Sequence, residues 1–180
     1  MKQKSSAKIK KTPSGNPAHA EIIIETPKGS RNKFKYDPAT RVFKLSKVLP
    51  EGMMFPYDFG FVPSTKAEDG DPLDVLVLTD EPLFPGCLVT CALIGAIELQ
   101  QEENGQKERN DRLLAVAEQS LLYAEVKKID DLNPTILKQI EAFFVNYQKV
   151  RGIEVRILGH NGPEKAVQIL RRAALQKNAA

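Results

Sequence analysis

From Ala20 onward the chain is written in short apolar runs with two-residue alternation, and it changes to a three- and four-residue spacing only near its end. Ala20 to Thr26 (AEIIIET) is rich in isoleucine and predicts a buried strand. PKGSRN follows as a turn-rich connection. Lys33 to Tyr36 alternates, and Arg41 to Leu49 (RVFKLSKVL) alternates more clearly. Prolines at 50, 56, 63 and 72 cut the next stretch into loops with short extended pieces. Leu73 to Thr79 (LDVLVLT) predicts another strand, and Cys87 to Leu99 a long one bent or bulged at Gly95. Gln100 to Asp111 is polar and predicts a hairpin loop, after which Leu113 to Ala117 returns to the core. Asn133-Pro134 then reads as an N-cap with proline at the first helical position. Ile136, Leu137, Ile140, Phe143, Phe144, Tyr147 and Val150 recur as one face of an amphipathic helix. Gly152 ends that helix, Ile153 to Leu158 alternates as a strand, and Pro163 opens a second helix to about Gln176. The expected architecture is α+β, a small antiparallel β-barrel of short strands with flanking C-terminal helices.

Composition narrows the class. The 180 residues suffice for one compact domain, and 42% hydrophobic with 27% charged residues is ordinary for a globular protein. No apolar stretch approaches the roughly 18 residues of a membrane span, and the basic N-terminus lacks the apolar run of a secretory signal. The net charge of +3 comes from a tail: residues 1–11 hold five lysines and no acid, and the rest carries 21 basic against 23 acidic side chains. Residues 1–18 are therefore expected as a basic, solvated leader and 19–180 as a single domain. Nucleic acid and membrane are not expected partners. Cys87 and Cys91 lie four apart on a predicted strand, so their Cα atoms would be ~13 Å apart, too far for a disulfide. They read as small core residues of a reducing, cytoplasmic protein. His19 and His160 sit beside turn residues and are expected at the surface, while Phe55, Phe59 and Phe61 are expected to pack the barrel and not to stack bases.

The strongest chemical signal is Glu68-Asp69-Gly70-Asp71-Pro72-Leu73-Asp74, three aspartates in six positions before an apolar strand. Gly70 permits a tight turn and Pro72 fixes its own φ. Like charges this close repel unless a cation lies among them, and hard divalent ions prefer such oxygens. The spacing alone is equally that of a solvated acidic turn. Its company adds weight: Glu25 ends one strand, Lys33 and Lys35 lie on the next, and Lys47 ends the third. Carboxylates for metal beside cations for phosphate are what a phosphoanhydride site needs. There is no Walker loop and no Gly-rich dinucleotide fingerprint.

On these residues the chain resembles the family I soluble inorganic pyrophosphatases. The likeness runs through IIIETPKGSRNKF, FPYDFGFVPST, DGDPLDVLVL, PLFPGCLV and FFVNY. It implies an OB-like barrel, magnesium (with manganese as a substitute), hydrolysis of pyrophosphate to two phosphates, and a homo-oligomer, usually a hexamer in bacteria. It also implies roles: Asp69 and Asp74 coordinate metal with Asp71, Glu25 and Glu102, and Asp71 orients or deprotonates the attacking water. Lys33, Lys47, Arg112 and Tyr147 hold phosphate. Several positions depart from the family pattern. Lys35 replaces a glutamate, Lys47 an arginine, Phe59 a tyrosine, Asn110 an aspartate, Arg112 a lysine and Gln148 a lysine. Glu102 replaces an aspartate in a lengthened loop, where Asp111 could take over from Asn110. Lost carboxylates predict fewer or weaker metals, with a poor site near Asn110. Lys47 is a point donor where arginine would be a fork, and Phe59 donates nothing. Two other readings stay open: a hydrolase of another phosphoanhydride polyanion, and a catalytically weak phosphate-binding or assembly protein that keeps the fold.

Overall fold

Isoleucines 22 and 24 drive the first strand into the core at 0% exposure, and the rest of the sheet is laid against it. A computed structural model describes residues 18–179, so the basic 1–11 segment lies outside the described residues. The strands are β1 (His19–Thr26), β2 (Asn32–Asp37), β3 (Val42–Val48), β4 (Asp58–Phe61), β5 (Asp74–Leu78), β6 (Leu88–Glu103), β7 (Gln106–Arg109), β8 (Arg112–Ala117) and β9 (Glu154–Asn161). The helices are α1 (Pro134–Lys149) and α2 (Pro163–Ala179). Asn133 caps α1 by accepting the Thr135 N–H at 2.9 Å, with Pro134 first in the helix.

Pairings run β1–β4–β5–β8–β6 and return from β6 to β1. All are antiparallel except β5–β8, which is parallel, so the expectation of a purely antiparallel sheet is corrected to a mixed one. The reason is geometric. A closed circuit of five strands cannot alternate direction at every step, and one neighbouring pair must run the same way. β6 is long enough to serve both sides of the molecule, pairing β1 and β8 over its first half and β7 and β9 over its second. Its register shifts between Leu93 and Gly95, where a Cβ on Gly95 would meet Asn161 O at 2.5 Å.

Both faces of the central strands are buried, which is why LDVLVLT shows no clean alternation. Val75 and Val77 pack toward Ala166, Ile169 and Leu170 of α2, while Leu76 and Leu78 pack with Phe59, Ile140 and Phe144 on the α1 side. Each such fully buried aliphatic side chain contributes about 1.5–3 kcal/mol. One expectation is refined and another revised. The polar 100–111 segment is a hairpin as expected, but built mostly of strand: β6 continues into it and turns at Asn104-Gly105, both at positive φ, into β7. Asn-Gly is the pair that a two-residue hairpin turn demands. The alternation of β3 does not face the core. β2 and β3 form a separate two-stranded sheet, with Val42, Leu45 and Val48 each at least half exposed and only the following Leu49 buried.

That hairpin is held to the main sheet by side chains at the end of β1. Thr26 Oγ1 accepts the Phe34 N–H at 3.0 Å, and Glu25 Oε1 accepts the Tyr36 N–H at 2.7 Å. Asp58, fully buried, accepts from Lys28 N (2.9 Å) and Thr79 Oγ1 (2.6 Å) and so ties the turn after β1 to the end of β5. β4 crosses β1 with Gly60 opposite Ile24, where an added Cβ would lie 2.2 Å from Ile23 O, a backbone atom. Gly60→Ala should therefore cost about 1–3 kcal/mol, as overpacking does. Urea unfolding should show a lowered midpoint, whereas Gly162→Ala, whose added Cβ would meet only the end of the Glu164 side chain at 3.3 Å, should change it far less.

Candidate active site

The acidic bend joins β4 to β5 and is closed by its own backbone. Gly70 takes φ +82°, Ala67 N donates to Asp71 O at 2.7 Å, and Asp71 N donates to Asp69 Oδ1 at 3.1 Å. Thr65 Oγ1 accepts the Leu73 N–H at 2.9 Å beneath it. The bend faces β1 and β2 across a cleft of about 680 Å³ whose lining includes Glu25, Lys33, Lys35, Asp71 and Asp74. Glu25, Lys33, Lys35, Asp71 and Asp74, from three segments far apart in sequence, thus come together, while Asp69 and Lys47 lie outside this lining.

Their electrostatics are those of crowded like charges. Glu25 is 6% exposed, and burial first, then Asp74, pushes its carboxyl up to about 7 against the opposing Tyr36 N–H, Lys33 and Lys35. Asp69 is also raised, by burial and by Asp74 and Asp71, against the Asp71 N–H and Arg112. The two remaining aspartates are paired with cations: Asp71 Oδ2 with Lys35 Nζ at 2.7 Å, and Asp74 Oδ2 with Arg112 Nη1 at 2.8 Å. As they stand, no three histidine, cysteine or acidic side chains among the described residues form a metal-holding group. The donor chemistry nevertheless suits a hard divalent ion. All four groups are carboxylates, and two of them carry negative charge that their surroundings disfavour.

A cation row borders this acidic set around one ring. Lys33 Nζ lies 5.1 Å from the Phe59 centroid and 5.8 Å from that of Tyr147, and the Arg112 guanidinium lies 6.0 Å from Phe59. Phe59 cannot donate to phosphate, but it supports both cations through its face. Tyr147 is buried, stacked on Phe143 at 5.7 Å, and its hydroxyl has no hydrogen-bond partner; Arg112 Nε is likewise buried without one. Such orphans cost about 1–3 kcal/mol each and suit a bound anion. Lys47, opposite Lys33 in the hairpin register, is pushed down to about 8 by burial and then by Arg151, Lys33 and Lys35, with Glu103 opposing.

The remaining positions separate. Asn110 is buried and accepts from Arg112 Nη1, so it holds the guanidinium that reaches Asp74. Asp111 does not replace it: its carboxylate faces the other way, accepting from Leu99 N (3.2 Å) and from Arg109 Nη2 (2.8 Å). Glu102 is drawn to Lys107 across the hairpin at 3.7 Å instead of to the aspartates, and its neighbour Glu103 is the carboxylate that acts on Lys47. Gln148 is buried and accepts from Arg151 Nη1 at 2.6 Å. Arg151, missed in the sequence reading, lies over the Tyr147 ring at 6.0 Å; its spacing of one helical turn past Tyr147 was the available signal. His19 pairs with Glu118 and His160 with Glu141, both away from the cleft, and both cysteines are free thiols, Cys91 buried.

Comparison with known proteins finds relatives over most of the chain. A family model described as inorganic pyrophosphatase matches residues 22–178. An inorganic pyrophosphatase of Methanosarcina acetivorans is 39% identical over 160 residues, 87% of this chain and 93% of the relative. One from Nostoc is 41% identical over 143 residues, 79% of this chain and 82% of the relative. The crystal structure of inorganic pyrophosphatase from Thermus thermophilus superposes with a TM-score of 0.83 at 30% identity, covering 97% of this chain and 99% of that one.

The crowding of Lys47 is directly measurable. Its ammonium should lose its proton near pH 8, and a bound polyanion should return the value toward that of an ordinary lysine. Competitive acetylation read by mass spectrometry should show half-maximal Lys47 labelling near pH 8, rising by at least one pH unit with pyrophosphate present. Titration together with the exposed lysines near ~10.4 would contradict the crowding.

Proposed function

Because this chain belongs to the inorganic pyrophosphatase family, whose reaction is metal-dependent hydrolysis of pyrophosphate, we propose that its reaction centre is the cleft between the 69–74 bend and β1–β2. The observation that carries this reading is the meeting of two like-charged sets: Glu25, Asp71 and Asp74 line the cleft with Lys33 and Lys35, Asp69 is acted on by Asp74 and Asp71, Arg112 pairs with Asp74, and Lys47 is acted on by Lys33 and Lys35. The metal ions are taken to be Mg²⁺, with Mn²⁺ as a substitute, held by Asp69, Asp71 and Asp74 with Glu25 behind them. When bound they neutralise phosphate oxygens and make a water molecule acidic near neutral pH. Glu102, turned to Lys107, is given no part in that set.

The chain's own groups do the rest. Lys33, Lys47 and Arg112 hold the phosphate oxygens as charge develops, and the Tyr147 hydroxyl, without a partner in the fold, donates to one of them. Asp71, whose side chain is 52% exposed, reaches the solvent that supplies the nucleophile. It orients the attacking water and takes its proton. Water oxygen bonds to one phosphorus, the bridging P–O bond breaks, and the proton passes on to the departing phosphate, leaving two phosphates. Phe59 and Phe144 beneath Arg112 exclude water from its inner side.

We also read the closed five-strand circuit as an OB-like barrel, residues 19–180 as one domain, and the working form as a cytoplasmic homo-oligomer, a hexamer by resemblance. No helix among the described residues is long and apolar enough to cross a membrane. Malachite-green assay of phosphate release tests the site. With Mg²⁺ and pyrophosphate, Asp71→Ala should lower the rate by at least ~10²-fold, the order lost with one transition-state group. Release at the parental rate in Asp71→Ala, or faster release by the parent from another phosphoanhydride, would overturn the assignment.

A further inference from the structure

The charges in the cleft are not divided evenly between its walls. Lys35 projects from β2 into the acidic side, not the cationic one. Its ammonium lies 2.7 Å from Asp71 Oδ2, and Glu25 and Asp74 act on it as well as Asp71. One monovalent cation thus answers three of the four carboxylates proposed to hold metal. The other internal cation, Arg112, is of a different kind: it is buried and braced by Asn110 and by the Phe59 and Phe144 rings. Lys35 has a side chain 46% exposed and is joined to the bend by this single ion pair, so it can leave.

We infer that Lys35 is a resident monocation of the metal cluster: its ammonium occupies, against Asp71, a position open to a divalent ion in its absence, and so limits how many ions the cleft loads. The inference rests on the metal-site reading above and deepens it. Two cations cannot share one carboxylate face without repulsion, and a divalent ion doubles that repulsion relative to a second ammonium. A neutral or acidic side chain at 35 removes it. The ion count is then set by a residue of the chain that is not itself a ligand, and Lys35 acts as a positioning residue that gates Asp71.

The test is Mn²⁺ binding by the full-length chain, measured by equilibrium dialysis and by loss of the free-ion paramagnetic resonance signal. Parent, Lys35→Met, Lys35→Glu and Lys35→Arg are compared, with Lys44→Met as a control, since Lys44 pairs with Asp37 outside the cleft. Circular dichroism confirms that each variant is folded. Lys35→Met and Lys35→Glu should bind one further Mn²⁺ per chain, or tighten the weakest site at least about tenfold, the larger effect in Lys35→Glu. Lys35→Arg and Lys44→Met should match the parent. Equal counts and affinities in every folded variant would overturn the inference and leave the metal site intact. No Mn²⁺ bound by any of them would remove the metal-site reading itself.

Discussion

Repulsion between like charges is the constraint from which the cleft follows. Glu25, Asp69, Asp71 and Asp74 crowd one side; Lys33, Lys47, Arg112 and Arg151 crowd the other. Each set alone is unfavourable, and the same physics acts with opposite sign on the two: Glu25 is pushed up to about 7 and Lys47 down to about 8. The fold relieves part of this internally, through Lys35 on Asp71 and Arg112 on Asp74. The rest stays uncompensated within the fold, and the proposed function assigns it to a divalent cation and a polyanion, the two charges that meet in phosphoanhydride hydrolysis.

Keeping such a site assembled requires rigid supports. The β2–β3 hairpin has little core of its own, and its exposed apolar residues on β3 do not hold it in place. Thr26 and Glu25 do, by bonding the backbone of β2 from the end of β1. Glu25 therefore has two duties, fixing the lysine-bearing hairpin and completing the acidic set. Asp58 plays the purely structural counterpart: a fully buried carboxylate whose acceptors are used by backbone and by Thr79. These two buried carboxylates differ in what surrounds them: Asp58 is engaged by Lys28 N, Leu83 N and Thr79 Oγ1, whereas Glu25 accepts the Tyr36 N–H and otherwise faces Asp74 and the two lysines of β2.

The departures that the family resemblance implies at 110, 59 and 148 become intelligible as exchanges of charge and contact. Asn110 has lost a carboxylate but keeps an acceptor oxygen, and it uses that oxygen on Arg112. Phe59 has lost a hydroxyl but offers its face to Lys33 and Arg112. Gln148 has lost a cation, and it bonds Arg151, which brings one back over the Tyr147 ring. In each pair the local property changes hands while the cleft keeps cations facing carboxylates.

The order of strands and helices, the capped start of α1, the bend at Gly95 and the acidic turn were all legible along the chain, because each rests on periodicity or on a few adjacent residues. Asp69, Asp71 and Asp74 stood out as one cluster by adjacency alone; that Glu25 and Lys33 meet Asp71 and Asp74 across one cleft depended on how β1 and β2 pack against the bend. What the chain could not state is which side chains face each other across strands far apart in sequence. Asn110 and Asp111 are neighbours in the two-residue link between β7 and β8, yet one turns to Arg112 and the other to Arg109. Glu102 and Glu103 were separated in the same way. The parallel β5–β8 pair followed from closing an odd number of strands, a condition on the whole sheet and on none of its segments. Local chemistry is written in the sequence; the facing of charges is written only in the register, because a single-residue step reverses a strand's side chain.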